Sequence, residues 1–563
     1  MVNIANKTFE NLAFSFLPPE QKYFYNITRD QIEKKSSNLI KKTYHYSAVF
    51  FKISMYLILV PFAVALSSLI NLKNKPIAWL KSKYQLKPKT LSDNELSSQL
   101  IGKIDKFGFS DSLFQSCGLG TKFSKPSFEG KCDWDPWIEN PKDHIEGDKK
   151  EIQTCFRNYL DDPYNFAKLL KSMGITAYRF SLERSVIQPQ KDTYDAVAIS
   201  KYIKFCKVLK ESGIEPWLTL NHFVQPKWFA DSGGFSKKEN VIDFVQYCET
   251  IIPKFKQHVN NWMTFNEPGI DAFQREIRKV YPGEKGTTRA AMEEMQNMLL
   301  AHFAIYKKIK KVYPNLNIGI THQWLKFVPA NDYNPIEKIA SFALSMITHY
   351  AVFNCLKTGS FRVPFLANNK LWDEKKSPMD FIGVQSYGFP VLKVGFGSGK
   401  EPGLLSKIKF PFLNYFFVAG ATCKDVGGKV SSLGPPFSPD DLEKSLIEAK
   451  ELKVPIAITE TGCDAKLQHW GEKDVKLDEK SQQEYFEKIF NILTRYKLKG
   501  LFILTLFKNQ LEWENGINKT SMGFIKDLRK NNGKIKKIEL NPTARYLQKI
   551  FNQSFHQEPL TTL

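Results

Sequence analysis

Beyond about Asp105 the chain alternates short apolar runs with longer segments of helical periodicity. The apolar runs are Phe107–Ser112, Ala177–Leu182, Pro216–Leu220, Trp262–Phe265, Ile318–Thr321, Phe381–Val384, Pro455–Thr459 and Gly500–Leu506. The helical segments include Pro163–Met173, Ala198–Ser212, Val241–Val259, Ala290–Val312, Asp440–Leu452 and Ser481–Tyr496. Eight strand–helix units predict parallel strands with right-handed crossovers, and eight strands close a (β/α)8 TIM barrel. About 450 residues is long for this fold, so loop insertions are expected.

A different pattern precedes this region, because Ile53–Leu72 is a charge-free, mainly apolar run. As a helix it would reach about 30 Å, the thickness of a hydrocarbon core. It lies too far from Met1 to be an ordinary signal peptide, and Pro61 is tolerated within membranes. We predict one transmembrane helix over 53–72. Its serines leave open a buried helix in a soluble N-terminal domain.

Composition supports a large packed core. Of the 563 residues, 42% are hydrophobic and 13% aromatic, which excludes a mainly disordered chain. The eight cysteines form no CxxC pair, so a zinc ribbon or a disulfide scaffold is not indicated, and buried reduced thiols are expected. The predicted division is an N-terminal basic and aromatic region at 1–104, a barrel at 105–555 and a tail at 556–563.

The net charge of +22 raises nucleic acid and anionic lipid as partners. Lysines flank the run at 53–72 on both sides, with the heavier cluster after it. Because the chain has no zinc finger, RNA-recognition signature or helix-turn-helix pattern, we predict membrane association and no nucleic-acid partner. The positive-inside rule favours a catalytic region on the cytoplasmic side.

Two strand ends carry glutamates in distinctive contexts. Thr264–Pro268 reads TFNEP after the fourth run, and Ile458–Gly462 reads ITETG after the seventh. These resemble the two signatures of family 1 glycoside hydrolases, TFNEP and I/V-T-E-N-G; the second has Thr461 in place of Asn. Further segments resemble the family in the same order, namely Phe114–Gly118, Tyr178–Ser181, Thr219–Phe223, Asp380–Tyr387 and Glu512–Trp513. The resemblance covers about Asp105 to Phe551.

The resemblance implies a retaining β-glycosidase, β-glucosidase-like, with Glu267 as acid/base and Glu460 as nucleophile. Arg179 and Tyr387 are implied to support the nucleophile. In a retaining enzyme the two carboxyl groups lie about 5–5.5 Å apart. One protonates the leaving oxygen, and the other is a carboxylate beside the anomeric carbon. No cofactor and no metal are expected.

The resemblance also implies a set of residues that bind the carbohydrate or glycoside substrate. Asn266 would hydrogen-bond the sugar 2-hydroxyl, a contact that strengthens in the transition state. The other members of the set are Gln115, His222, Glu512 and Trp513. By contrast, we expect His302 to be structural because it belongs to no strand end, and Cys463 to serve packing.

Several positions depart from the family pattern. Leu504 stands where the family has a tryptophan under the sugar, Lys508 where Asp is usual, and Arg184 where a Trp is expected. Cys117 occupies an acidic position and Gln385 an Asn position. We therefore expect retained chemistry on an unusual substrate, or weak activity.

The apolar segment 404–420 after the sixth run motivates one hypothesis about that substrate. An interfacial patch there would favour a hydrophobic or lipid-linked glycoside, although a loop packed against an outer helix fits as well. Two alternatives to hydrolysis stay open. One is a transglycosylase on the same fold, and the other is a catalytically weak or silent sugar-binding membrane protein.

Overall fold

The computed structural model describes a barrel region and a few residues before it. The described residues are 66–67, 70, 91–118, 132–139, 159–283, 286–364, 367–374, 377–394, 418–420, 429–431, 437–468, 475–507, 522–529 and 535–555. The predicted tail at 556–563, most of the predicted span 53–72 and the predicted site residues Glu512 and Trp513 lie outside them.

Eight parallel strands form a closed barrel, as the hydrophobic pattern predicts. Each strand pairs with the next in chain order, and the eighth pairs with the first. The strands are β1 Phe107–Ser110, β2 Ala177–Ser181, β3 Glu215–Thr219, β4 Asn261–Asn266, β5 Asn317–Gln323, β6 Phe381–Ser386, β7 Ile456–Thr461 and β8 Gly500–Ile503. Their carboxyl ends meet at one mouth, which is where barrels of this class place their sites.

Helices surround the barrel. The longer ones are Pro163–Ser172, Ala196–Glu211, Val241–Phe255, Thr288–Val312, Pro335–Ser345, Ala351–Thr358, Asp440–Ala449, Glu479–Leu493 and Pro542–Phe555. Other helices are Asp93–Leu100, Leu113–Cys117, Asp135–Glu139, Arg184–Ile187, Lys227–Asp231 and Pro268–Ala272. Single turns of 3-10 or π type are Tyr159–Asp161, Gly234–Ser236, Lys238–Asn240, Phe273–Arg278, Met346–Tyr350 and Lys450–Leu452. Short strands outside the barrel are Val328–Pro329, Ser360–Val363, Ala367–Lys370, Val391–Val394, Val418–Gly420, Val430–Ser431, Lys466–Gln468, Val475–Leu477, Ile525–Arg529 and Ile535–Leu540.

The helix Val241–Phe255 illustrates why these segments are helical. Its buried residues include Phe244, Tyr247, Cys248 and Ile251, which recur at the three- and four-residue spacing of one helix face. That face packs on the barrel in the main hydrophobic core. Such burial contributes roughly 1.5–3 kcal/mol for each large apolar side chain relative to exposure.

The floor of the barrel is filled by large side chains from several strands. Trp217 on β3 packs against Phe381 on β6 and Phe502 on β8, with ring centroids 5.3 and 5.0 Å away. Gly319 on β5 makes this possible, because a Cβ there would lie 2.7 Å from the Phe381 ring. The interior is therefore a packed core below the mouth.

Both strands that carry the motif glutamates have a β-bulge near the mouth. The register of β4 to β5 shifts between Met263 and Asn266, and the register of β7 to β6 shifts between Ile458 and Glu460. A bulge inserts one extra residue into a strand, so it interrupts the alternation of inward and outward side chains and re-aims the residues that follow.

The described residues before the barrel pack on it. The helix Asp93–Leu100 places Leu96 and Leu100 in the same hydrophobic core as the barrel, and Ser97 donates a hydrogen bond of 3.2 Å to Gln553. The packed core therefore begins before residue 105.

The predicted transmembrane helix over 53–72 gains no support from its few described residues. Ser67 is fully buried; its hydroxyl donates to the Val394 carbonyl oxygen at 2.6 Å and accepts from Asn334 at 2.7 Å. This end of the run therefore contacts protein, because a buried hydroxyl needs such partners. Within the described ranges, one helical stretch, Pro335–Thr358, is long and apolar enough to cross a membrane, but half of it is buried, as in a core helix.

Candidate active site

Glu460, on β7, is held by donors on both of its carboxylate oxygens. Arg179 on β2 donates to Oε1, and Ser110 on β1 donates to the same oxygen at 3.2 Å. Tyr387, directly after β6, donates to Oε2 at 2.6 Å. Glu460 is 4% exposed and Arg179 fully buried. Charge-assisted hydrogen bonds of this kind fix a carboxylate in one orientation and stabilise it as the anion. The structure therefore brings Arg179 and Tyr387 to Glu460, as the resemblance predicts.

Glu267 lies at the end of β4 in a different environment. Its backbone takes the left-handed conformation, with φ of 44°, and its N–H donates to the Thr321 carbonyl oxygen at 2.9 Å. A non-glycine residue held there is strained, a feature that clusters at functional sites. The side chain is 5% exposed, and Oε1 has no hydrogen-bond partner among the described residues.

The pKa of Glu267 is raised well above its usual range. Burial is the main cause, the nearby charge of Glu460 adds to it, and the Arg179 guanidinium opposes it. The two carboxyl groups therefore interact while they have different surroundings. Pairs of acids whose environments differ in this way take the roles of proton donor and anion.

Asn266 connects Arg179 on β2 to Gln385 on β6. Its Oδ1 accepts from Arg179 Nη2 at 2.6 Å and from Gln385 Nε2 at 2.9 Å. In the part of the chain that the structure describes, Asn266 Nδ2 and Gln385 Oε1 are buried without partners. Because buried polar groups are normally hydrogen-bonded, an amide donor and an amide acceptor without partners suit a polyhydroxylated ligand.

Two further predicted residues lie at the same mouth. Gln115 belongs to the short helix Leu113–Cys117 after β1, and His222 follows β3; both are buried. Burial and the charge of Arg179 lower the pKa of His222 well below its usual range, so its imidazole is neutral. A neutral ring has one donor and one acceptor nitrogen, which suits a sugar hydroxyl. The positions of Glu512, Trp513 and the departure Lys508 lie outside the described residues.

Arg184, one of the departures, is enclosed between outer helices. Its guanidinium lies 4.6 Å from the ring centroid of Phe229 and 5.0 Å from that of Trp228, and Nε donates to Gln188 at 2.8 Å. Desolvation lowers its pKa to about 10. Arg184 is thus a buried cation between aromatic faces, an arrangement that holds helices together.

Two residues outside the predicted set behave as expected. His302 is buried, its Nδ1 is 2.8 Å from the Thr264 hydroxyl on the outer side of β4, and burial lowers its pKa to about 3. Cys463 is buried, and burial raises the pKa of its thiol well above the usual range, so it is an inert packing group.

Sequence reasoning missed Ser110 and Glu183. Ser110 ends the first strand, and only its pairing with Arg179 on β2 shows that it reaches Glu460. Glu183 follows YRFS as part of an ordinary polar turn, yet it is 2% exposed. Its Oε1 accepts from the Phe114 N–H at 3.1 Å and from the Ser181 hydroxyl at 2.5 Å, which ties the loop that carries Gln115 to β2.

Glu183 should make the folding stability depend on pH. Burial raises its pKa to about 8 from the usual 4.5. Between these values the folded chain keeps a proton that the unfolded chain loses, so this contribution is complete below the lower pKa and is lost as the pH rises to the higher. The loss amounts to at most about 5 kcal/mol. We expect Glu183→Gln to abolish this pH-dependent loss of stability. The melting temperature of the variant should therefore rise relative to that of the parent between pH 5 and pH 8.5.

Glu451→Gln is the matched control for that measurement, because Glu451 is exposed and forms a surface pair with Lys357 at 2.6 Å. Its melting curve should follow the parent at every pH. If the curves of Glu183→Gln and the parent ran parallel over the whole range, Glu183 would titrate in the folded state as it does in the unfolded state.

Comparison with known proteins agrees with this geometry. The profile of glycosyl hydrolase family 1 matches residues 125–363. A 6-phospho-beta-galactosidase from Clostridium acetobutylicum is 23% identical over 467 residues, which cover 77% of this chain and 94% of that protein. Beta-glucosidase A from Thermotoga maritima is 24% identical over 408 residues, or 69% and 85% of the two chains.

The fold is shared with solved structures. The psychrophilic beta-glucosidase from Micrococcus antarcticus superposes with a TM-score of 0.65 at 18% identity, covering 85% of this chain and all of that one. The profile match ends at residue 363, before Glu460. The match to the Clostridium protein covers 77% of this chain, and the match to the beta-glycosidase structure from Pyrococcus horikoshii covers 80% of it. The family profile and these relatives support a divergent member of glycosyl hydrolase family 1 and, with it, a glycoside hydrolase.

Proposed function

We propose that the chain is a retaining β-glycosidase in which Glu267 is the acid/base and Glu460 the nucleophile. The observation that carries this proposal is the contrast between the two carboxyl groups. Glu460 accepts hydrogen bonds on both oxygens from Arg179, Ser110 and Tyr387, whereas Glu267 is buried with a raised pKa. One mouth thus holds an anion and a proton donor, the two groups that a glycosidic bond requires.

In the first step Glu460 attacks the anomeric carbon. The C1–Oε bond forms as the bond from C1 to the leaving oxygen breaks, and Glu267 gives its proton to that oxygen. The aglycone leaves as a neutral alcohol, and a covalent glycosyl-enzyme remains. Tyr387 keeps its hydroxyl proton, because burial and Glu460 raise its pKa, and it donates to the Glu460 carboxylate before the attack.

In the second step Glu267 changes role. Esterification removes the negative charge of Glu460. Because that charge helps to raise the pKa of Glu267, the pKa of Glu267 should fall. Glu267 then takes a proton from water, whose oxygen attacks C1 and displaces Glu460. Two inversions give net retention, so the carboxyl groups should lie about 5–5.5 Å apart.

Sugar recognition is assigned to the polar atoms around the pair. Asn266 Nδ2 would donate to the 2-hydroxyl, since Arg179 and Gln385 hold its oxygen on the other side. Gln115 and the neutral His222 would contact outer hydroxyls, together with Glu512 and Trp513 by resemblance. A relative named for 6-phosphogalactosides and another named for glucosides leave the glycone of this chain open.

The predicted membrane association and lipid-linked substrate belong to this proposal as its finer part. Their support is the apolar run at 53–72 with its flanking lysines, and the apolar segment 404–420, of which the structure describes only 418–420. Transglycosylation uses the same residues and differs only in the acceptor of the second step. The presence of both glutamates favours an enzyme over a silent sugar-binding protein.

A mechanism-based label tests the assignment. Activated 2-fluoroglycosides of glucose and galactose slow both steps and trap the covalent intermediate, because fluorine destabilises the oxocarbenium-like transition state. We expect mass spectrometry to find one added glycosyl group on the peptide that contains Glu460. An adduct on another residue, or no adduct with the 2-fluoro analogue of a sugar whose aryl glycoside the chain hydrolyses, would overturn the assignment.

A further inference from the structure

Arg275 is a buried arginine that joins three segments of the mouth. It lies in the turn Phe273–Arg278 after β4, and its side chain is 3% exposed. Its Nη1 donates to Asp133, in the loop after β1, at 2.6 Å, and its Nη2 donates to the carbonyl oxygen of Phe223, in the loop after β3. Its Nε donates to Asp271, one helical turn earlier, at 2.7 Å. A guanidinium has five N–H donors in a fixed planar fork, so this one side chain holds all three segments together.

The segments that Arg275 joins include two residues with strained backbone. Phe223 has φ of 65°, and its carbonyl oxygen accepts from Arg275. Glu267 has φ of 44°, and its carbonyl oxygen accepts from the Asp271 N–H at 2.9 Å. Left-handed backbone in a residue with a large side chain persists only where the surroundings hold it. The bond from Arg275 to Asp271 therefore connects the strained Glu267 to the strained Phe223.

The support of Arg275 in the loops after β1 and β3 is itself fixed. Asp133 and Gln225 exchange two hydrogen bonds of 3.0 Å: the Asp133 N–H donates to the Gln225 carbonyl oxygen, and Asp133 Oδ1 accepts from the Gln225 N–H. Trp134 Nε1 donates to the Phe223 carbonyl oxygen at 2.9 Å. These bonds join the two loops to each other, so Arg275 is attached to a rigid support.

Asp271 also brings a negative charge close to the acid/base. It is fully buried, and its Oδ2 has no hydrogen-bond partner among the described residues. Burial and Glu460 raise the pKa of Glu267 most, and Asp271 raises it further. Glu294 Oε1 lies 4.0 Å from Arg275 Nε, but burial raises the pKa of Glu294 to about 8, so this carboxyl is protonated at neutral pH. The anionic form of Asp271 therefore depends on its bond to Arg275.

We propose that Arg275, acting through Asp271, is a positioning residue for Glu267. Proton transfer to the leaving oxygen requires the Glu267 carboxyl within hydrogen-bond distance of it, and a displacement of about 1 Å can lower the rate by about 100-fold. The inference rests on the proposed role of Glu267, and it adds that the loops after two other strands set the position of this residue. Arg275 contacts the support and Asp271, so its effect on the reaction is indirect.

Two substrates distinguish positioning from a purely structural role. Arg275→Lys keeps the charge, but a single ammonium group cannot make all the hydrogen bonds of the guanidinium. kcat/KM is measured for an alkyl glycoside, whose leaving oxygen needs the proton of Glu267, and for the dinitrophenyl glycoside of the same sugar, which needs none. Arg184→Lys is the matched control, because Arg184 is a buried arginine enclosed between outer helices.

We expect the ratio of the alkyl to the dinitrophenyl value to fall by about 10- to 100-fold in Arg275→Lys and to stay at the parental value in Arg184→Lys. A smaller folded fraction lowers both values equally, so lost stability by itself leaves the ratio unchanged. The parent is treated in parallel with the 2-fluoro analogue of the same sugar. If it is labelled on Glu460 and Arg275→Lys keeps the parental ratio, this inference alone is overturned. If the parent is not labelled there, the proposed function fails and this inference fails with it.

A second variant decides the case in which Arg275→Lys does not fold. Asp271→Asn keeps the size of the side chain, and its amide oxygen can still accept from Arg275 Nε. The variant removes one negative charge near Glu267 and leaves the charges of Glu460 and Arg179 in place. The pKa of Glu267 should therefore fall, and the basic limb of the kcat/KM profile should move to lower pH by about one unit. A basic limb at the parental pH would overturn the proposal.

Discussion

Glu460→Gln should abolish turnover of every glycoside that the parent hydrolyses, with a fall of at least about 10,000-fold in kcat. Removal of a covalent nucleophile has effects of this order, because no other group can form the covalent bond to the anomeric carbon. The amide oxygen can still accept from Arg179 and Ser110, while the amide NH2 can donate to the Tyr387 hydroxyl, so the shape of the site is kept while the attacking anion is lost. Initial rates with an aryl glycoside, followed by release of the phenol, measure the effect.

The control for this variant is Glu451→Gln, which removes one surface carboxylate and should keep the parental rate. Glu460→Gln should also lose the covalent label of the 2-fluoroglycoside experiment. A variant that melts like the parent and retains more than about 1% of its rate would show that Glu460 does not form the intermediate.

Glu267→Gln should lower kcat/KM by about 100- to 10,000-fold for glycosides with poor leaving groups. The loss should be far smaller in the first step for a dinitrophenyl glycoside, whose leaving oxygen needs no proton. For the activated substrate the second step becomes slow, since no base remains to deprotonate water. Added azide, which needs no base, should restore turnover and give a glycosyl azide of retained configuration. NMR spectroscopy of the products measures the amount of glycosyl azide and its configuration.

The pH profile gives an independent readout of the same residue. Burial and Glu460 raise the pKa of Glu267, and the first step needs its protonated form. The parental rate should therefore fall as the pH rises through that pKa, and the fall should be absent in Glu267→Gln with the activated substrate. If the variant kept the parental basic limb, or if azide had no effect, another group would be the acid/base.

The sequence alone indicated much of the site because its motifs stand at strand ends. In a closed parallel barrel, residues that follow different strands meet at one mouth, so TFNEP and ITETG could be expected to face each other without knowledge of distances. The structure confirms the barrel. Arg179 and Tyr387 contact Glu460 as expected, and Asn266 bonds to Arg179.

Other features could not be predicted because they depend on what packs around a residue. Glu183 reads as a solvated turn residue, yet it is buried and accepts from the short helix that carries Gln115, and burial raises its pKa. Arg184 reads as an exposed cation, yet aromatic rings from two helices enclose it. The run at 53–72 reads as a span, whereas Ser67 within it is bonded to Asn334.

The two bulges show most directly what the tertiary structure decided. Met263 and Ala457 face the interior of the barrel. Strict alternation from these residues would turn both Asn266 and Glu460 outward, since side chains of a strand change face at every residue. Instead Thr264 and Phe265 both face the outer helices, where Thr264 contacts His302 and the Phe265 ring lies 4.9 Å from Phe244. The register shifts then turn Asn266 and Glu460 to the mouth.

The amino-acid sequence by itself determined which groups are available and in what order they reach the mouth: eight apolar runs, two glutamates in recognisable contexts, and an arginine on the second strand. The sequence also predicted the barrel, because the spacing of apolar residues along the chain is a local property. Only the tertiary structure decided which way these groups face and how they are charged. Bulges, burial and the proximity of Arg179 arise when strands distant in the chain pair, and no local pattern encodes them.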